Sequence, residues 1–296
     1  MTVAAYKASL VLSEGLVFGL VALGIYVLFQ WLRFPDLTPD GSFVLGAVAY
    51  VTAATAGHPM AVAVASAPLA GGLAGCCTAL LHRLVGTPAV VAGMLVSSAA
   101  YSVAWLALGK PNQFLDPSLT FVGERSGEAA AWRLLVWLAA FTTAVVVFLA
   151  VLVNTVWGLR LRAIGENDGL ARELGLSPTL YGLTGLVLGN CIVGLAGALA
   201  AQRSYSADIN MGFGITITGL AGMILGSLLV GRRRRWWLVL TAVVAGAILY
   251  KAILFLAIEV GLPAETFRLI SAVFLLTLFV AVRSPAFNVL RNLKWN

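Results

Sequence analysis

Apolar runs as long as a bilayer is thick restrict this chain more than any other feature. Residues 10–31, 60–81, 88–108, 132–157, 179–202, 212–230, 236–258 and 267–282 read as such runs. An α-helix needs roughly 20 predominantly apolar residues to cross about 30 Å of hydrocarbon. Backbone in hydrocarbon must satisfy its own polar groups, so only helices and closed barrels span it. Barrel strands would read as short alternating segments, and the chain has none. Of its 296 residues 60% are hydrophobic and 10% charged, against about 25% charged in a soluble domain. The sequence therefore predicts an all-α, polytopic transmembrane helical bundle forming a single domain over residues 1–296.

One apolar piece, 42–56, is short for a crossing and follows a polar break. Between Arg33 and Ser42 stand Asp36, Thr38 and Asp40 among Pro35, Pro39 and Gly41. Irregular backbone at membrane depth is tolerated where it is buried in protein or lines a watery cavity, and transporters use such breaks to aim half-helix ends at a solute. A discontinuous or half-helix is expected near residues 33–56. Counting 42–56 as a half-helix gives eight spans and a cytoplasmic start, the reading favoured here; a full crossing gives nine and an outside start. The opening residues MTVAAYKASL lack the pattern of a cleaved signal peptide.

Cationic loops stay in the cytoplasm. Alternation from the first span gathers Arg83, Arg160, Arg162, Arg172, the run Arg232 to Arg235, Arg283, Arg291 and Lys294 on one side, and fewer, Lys110, Arg125, Arg133, Arg203 and Arg268, on the other. The C-terminus is accordingly expected inside. RRRRWW at 232–237 reads as a topological stop with interfacial Trp anchors in contact with lipid headgroups, and no soluble basic face exists for nucleic acid.

Within this apolar chain, GLRLRAIGENDGLARELGLSP at 158–178 is the exception. Ile164, Ala171 and Leu174 fall near one helical face; Arg162 with Glu166, and Asp168 with Arg172, are four apart and can pair. Gly175 is a C-cap candidate and Pro178 blocks continuation. The spacing predicts one short amphipathic helix over 161–174 between two spans. Arg160, Arg162 and Arg172 balance Glu166, Asp168 and Glu173, and small residues replace bulky apolar ones, whereas a lipid-surface helix is lopsidedly basic. A partner protein suits this face better than lipid.

The pattern Gly158, Arg162, Ala163, Asn167, Ala171, Leu174, Gly175, Leu176 resembles the cytoplasmic loop of permeases in ABC importers of the branched-chain amino acid type, where a coupling helix docks into a groove on the ATPase. FPDLTPDGSFVLGA at 34–47 is similar to the FPDLTVDGSF signature of a tryptophan/tyrosine-type subgroup. LLHRL at 80–84, GKPN at 109–112 and AQRSYSADINMGFG at 201–214 extend the likeness. Pro39, where that subgroup commonly has an apolar residue, and the long arginine run depart from it.

The resemblance implies a permease subunit in a bacterial inner membrane, paired as a homodimer, with separate ATPase subunits that bind ATP and Mg and an extracytoplasmic solute-binding protein. Arg162, Ala163, Glu166, Asn167, Ala171, Leu174 and Gly175 are then the coupling residues, and an amino acid or similar small polar or aromatic molecule the solute. Asp36, Asp40, Ser42, Phe43, Gln202 and Asn210 are candidates for the translocation path. For each of these polar residues a structural role stands beside the functional one: Ser42 or Asp40 capping the helix that begins at Phe43, Gln202, Asn210 and Asn190 bonding helix to helix. Glu14 and Lys251 lie inside spans, where charge is costly and marks function by default, although Lys251 can snorkel. No catalytic constellation is present: the phosphate-binding pattern G-x-x-x-x-G-K-[ST] does not occur, His58 and His82 are isolated, and Cys76, Cys77 and Cys191 have neither metal-site spacing nor an exterior location. The rival reading, an ion- or proton-coupled secondary transporter, would ask for paired intramembrane acids in corresponding halves of the chain.

Overall fold

The computed structural model describes residues 3–123, 128–230, 235–261, 263 and 266–283. Helix α1 (Val3–Tyr26) continues as a π-helical turn, Val27–Trp31. It is followed by α2 (Pro39–Thr55), α3 (Met60–Leu84), α4 (Ala89–Leu108), α5 (Glu128–Leu152), α6 (Val156–Glu166), α7 (Asp168–Glu173), α8 (Pro178–Ser204), α9 (Ile215–Val230), α10 (Trp236–Glu259) and α11 (Phe267–Arg283). Strands β1 (Asn112–Phe114) and β2 (Ser206–Asp208) pair antiparallel, with Gln113 opposite Ala207. Seven of the stretches are long and apolar enough to cross a membrane. The fold is the expected all-α membrane bundle.

α1 and α8 form the centre: Leu20, Leu23, Ile25 and Leu28 of the first and Val193, Ala196 and Leu199 of the second are buried. Hydrocarbon offers helices no hydrophobic reason to associate, so close packing through small residues must supply it. A side chain added at Gly46 of α2 would overlap the backbone of α8 at Gly194, and one at Gly71 of α3 would overlap it at Asn190. Three helices meet there at backbone contact. The α3, α4 and α5 flank differs: Leu69, Leu73, Met94, Leu106, Val136 and Val151 are exposed, as on a surface that faces lipid.

Contacts fix which helix ends lie together. Gly165 of α6 rests on the Trp31 carbonyl, Arg83 near the end of α3 reaches Asp168 of α7, and Arg162 of α6 covers Trp236 at the start of α10. At the opposite end Lys7 pairs with Glu259, and Gln113 of β1 reaches Thr55. The start of α1 thus lies across the bundle from α6 and α7, which corrects the eight-span reading. Among the described residues the chain runs between the two ends of the bundle nine times, once each in α1 to α5 and α8 to α11, seven of these stretches being long and apolar enough to cross a membrane. α2 completes its crossing because residues 33–37 are non-helical, and extended chain covers about 3.3 Å per residue against 1.5 Å in a helix. α11 then returns toward the α6–α7 end, its Ser271 meeting Tyr250 near the far end of α10. The cations at 232–234 and those beyond Arg283 lie outside the described residues.

Candidate functional site

The charged segment folds as two helices, not one. Thr155 caps α6 by accepting from the Gly158 amide at 3.2 Å. Asn167 then leaves helical geometry (φ −154, ψ 101) and accepts the Leu170 amide at 3.0 Å, so it caps α7. A short amide side chain that competes with the backbone is weak inside a helix and strong at its start. Gly175, at φ +75, closes α7: its amide reaches the Arg172 carbonyl and the Leu176 amide the Ala171 carbonyl, both at 3.0 Å. This is the paired-bond ending that a left-handed glycine permits.

Of the two expected ion pairs, Arg172 with Asp168 forms, at 3.2 Å. Arg162 and Glu166 do not pair: Glu166 turns to Arg33 beyond the π turn, at 3.0 Å, while Arg162 donates to the Val153 carbonyl at 3.0 Å and lies 4.2 Å above the Trp236 ring. Arg160 donates to the Tyr181 hydroxyl of α8 at 3.1 Å, and Arg83 of α3 stands 3.6 Å from Asp168. The helix pair is therefore strapped to the ends of α1, α3, α8 and α10. Arg33 and Arg83 border a cavity of about 210 Å³ beneath it, together with Asp168 and Gly182. Local pattern could not reveal Arg33 as a strap, because its partner lies 133 residues away.

Ala171 is buried, 2% exposed, and Ile164 also faces inward. Leu170 of α7 and Leu174, its C-cap, are 52% and 69% exposed, and Ala163 of α6 is exposed too. The outward face is thus apolar at Leu170 and Leu174 and ringed by charge.

From this end the chain passes through Arg33, a non-glycine residue at φ 51, into a buried polar cluster. Asp36 accepts the Thr38 amide at 2.8 Å and the Thr38 hydroxyl on one oxygen, and the Asn190 amide at 2.8 Å on the other. The Thr38 hydroxyl also meets that of Thr78 at 2.6 Å, and Ser42 donates to Asn190 at 2.7 Å. The cluster ties α2, α3 and α8 to the break. Asp40 does not cap its own helix: its carboxylate accepts the Gly214 amide at 3.1 Å, and the Thr216 amide and hydroxyl at 2.7 and 2.6 Å, at the start of α9. Ser42 is likewise committed to Asn190, and α2 begins at Pro39, four residues before the expected Phe43.

Asp36, Ser42, Phe43 and Gln202 are buried, the last accepting the Phe121 amide at 3.3 Å. Asn210 is exposed in a short 3-10 turn before α9. Glu14 and Lys251 meet at 3.0 Å in the half of the bundle away from α6 and α7.

Comparison with known proteins agrees with this architecture. Residues 8–281 match the family described as branched-chain amino acid transport system / permease component. A tyrosine transport system permease protein from Clostridioides difficile (strain R20291) is 29% identical over 263 residues, covering 89% of this chain and 87% of its own. An uncharacterized protein of Rickettsia prowazekii (strain Madrid E) is 32% identical over 208 residues, 69% of this chain and 71% of its own. Among solved structures, PsaBC from Streptococcus pneumoniae in complex with Fab superposes with a TM-score of 0.55 at 15% identity, covering 96% of this chain and 93% of that one.

Proposed function

Because the chain belongs to the family of branched-chain amino acid transport system permease components, we propose that it is the membrane-spanning half of an ATP-driven importer, with α6 and α7 as the element that docks on a cytoplasmic ATPase subunit. One observation carries this reading: a helix pair strapped to four transmembrane helices presents two exposed leucines, Leu170 and Leu174, away from the bundle. Arg162, Glu166 and Asn167 hold the pair's shape, Ala171 and Gly175 set how α7 sits, and Ala163 and Leu174 belong to the docking face. In that arrangement the α6–α7 end and the C-terminus are cytoplasmic. A second copy of the chain completes the path, and a binding protein delivers the solute at the end that carries β1 and β2.

The solute class follows the C. difficile relative's description, an aromatic amino acid such as tyrosine. As a permease component the chain supplies the route and the coupling surface, while ATP and Mg are held by the ATPase subunits. Leu174→Asp tests the reading: co-purification with the partner ATPase should fall at least about tenfold, as expected when an apolar contact is replaced by a buried charge. Undiminished association and solute-stimulated ATP hydrolysis would count against it. Uptake that survives removal of the ATPase and collapses with an uncoupler would instead support the ion-coupled alternative.

A further inference from the structure

Three charged side chains from three helices converge in the half of the bundle nearest the β1–β2 pair. Arg203, in the last turn of α8, reaches Glu14 of α1 at 3.2 Å, and Lys251 of α10 reaches the other Glu14 oxygen at 3.0 Å. The Arg203 Nε also donates to the Ser13 hydroxyl at 3.1 Å, and the Lys251 ammonium lies 3.4 Å from the centre of the Phe18 ring. Two cations thus share one carboxylate, and among the described residues neither ion-pairs with a second acid.

The group is open to its surroundings. The side chains of Glu14, Arg203 and Lys251 are 38%, 26% and 12% exposed. A net positive charge facing hydrocarbon is costly, and ionisable groups inside spans face water-filled space or other protein. The apolar flank of α3, α4 and α5 lies elsewhere on the bundle. The group itself is therefore placed against water or other protein, although Leu12 and Leu249 beside it are also exposed, and its surplus cation calls for an anion. Arginine offers a planar fork suited to a carboxylate, and the Phe18 ring beside the lysine offers an apolar wall for the rest of a solute.

We propose that Glu14, Arg203 and Lys251 form a recognition site for the carboxylate of a solute with an aromatic or other apolar body. The solute there replaces nothing: it adds the counter-charge that the three residues lack, with Glu14 holding the two cations in place. This site rests on the importer reading for its role, because it lies at the end where solute would arrive.

The test uses the full-length permease in lipid nanodiscs, with radiolabelled L-tyrosine and tyramine, which lacks the carboxylate, as probes. Wild type should bind L-tyrosine at least about tenfold more tightly than tyramine, the order expected for one charge-assisted hydrogen-bonded contact. Arg203→Gln should weaken L-tyrosine about tenfold and should not weaken tyramine, a cation with no carboxylate to lose the contact. Glu14→Gln should tighten L-tyrosine, because it increases the surplus positive charge. Equal binding of the two probes by wild type, binding of neither, or weakening of both probes by both variants would overturn the proposal and leave the group an ion-pair staple between helices. The wild-type comparison of the two probes needs no variant to fold. The importer reading has its own readout, ATP-dependent uptake: binding as expected without ATPase coupling sinks that reading alone, and coupled uptake with indifferent binding sinks the site alone.

Discussion

Asp40 caps a helix 176 residues further along the chain, accepting two amides and a hydroxyl at the start of α9. An ionised acceptor facing free amides also sits favourably in the field of the helix N-terminus. Asp40→Ala should cost about 1–2 kcal/mol, the range for losing such a cap, read as earlier thermal unfolding of the purified permease. Asp40→Asn should cost less, since it keeps an acceptor. Asp36 differs, because it is fully buried and its partners are neutral. Asp36→Ala leaves the Thr38 amide without that bond and removes one from Asn190, and each buried polar group left unsatisfied costs about 1–3 kcal/mol. Ser42→Ala should be the milder change, since it takes only a donor from Asn190. Unequal yields of monodisperse protein, Ser42→Ala above Asp36→Ala, would bear this out. That residues 36–42 were special was legible in the sequence, since acids among prolines interrupt apolar runs. Their partners were not, because local rules assign a cap to its own helix and both acids bond across the fold.

At the scale of elements, the loop was legible as helical and its internal break was not. Periodicity through Ile164, Ala171 and Leu174 survives the junction at Asn167, so the pattern cannot distinguish one helix from two; the cap at Asn167 is the missing signal. Asn167→Ala should loosen α7 by about 1 kcal/mol, seen as faster hydrogen exchange at the Leu170 amide. Gly165 governs how α6 meets the bundle: a Cβ there would overlap the Trp31 carbonyl and the Leu32 backbone. Gly165→Val should therefore displace α6 from the π turn and uncouple solute-stimulated ATPase activity, while the far half of the bundle, distant from the contact, keeps its fold. The exposed Arg33–Glu166 pair, with side chains 36% and 71% exposed, adds little stability by itself, since surface ion pairs contribute about 0–1 kcal/mol. Its effect is on orientation, through the tight backbone contact at Gly165 beside it.

For the whole molecule, the places and order of the apolar helices followed from the apolar runs, but their number as crossings and the side on which the chain starts depended on a single short segment. The hydrophobic length of 42–56 argues for a partial crossing; the structure completes it with extended chain, which hydropathy does not register. The nine-pass arrangement has an electrostatic consequence. Arg33, Arg83, Arg160, Arg162, Arg172 and Arg235 gather at the α6–α7 end, and Lys7, Lys110, Arg133, Arg203 and Arg268 lie toward the β1–β2 end. On the proposed orientation, with the α6–α7 end cytoplasmic, the β1–β2 end and the start of α1 are outside. In a background with Cys76, Cys77 and Cys191 replaced, single cysteines at the exposed positions Tyr6, Lys110 and Gly169 separate the possibilities. A membrane-impermeant maleimide should label Tyr6→Cys and Lys110→Cys in intact spheroplasts, and Gly169→Cys only after permeabilisation. Labelling of Tyr6→Cys only after permeabilisation, as for Gly169→Cys, would restore the eight-span arrangement, and would place the Lys7–Glu259 pair and the Glu14, Arg203 and Lys251 group on the side from which a solute leaves.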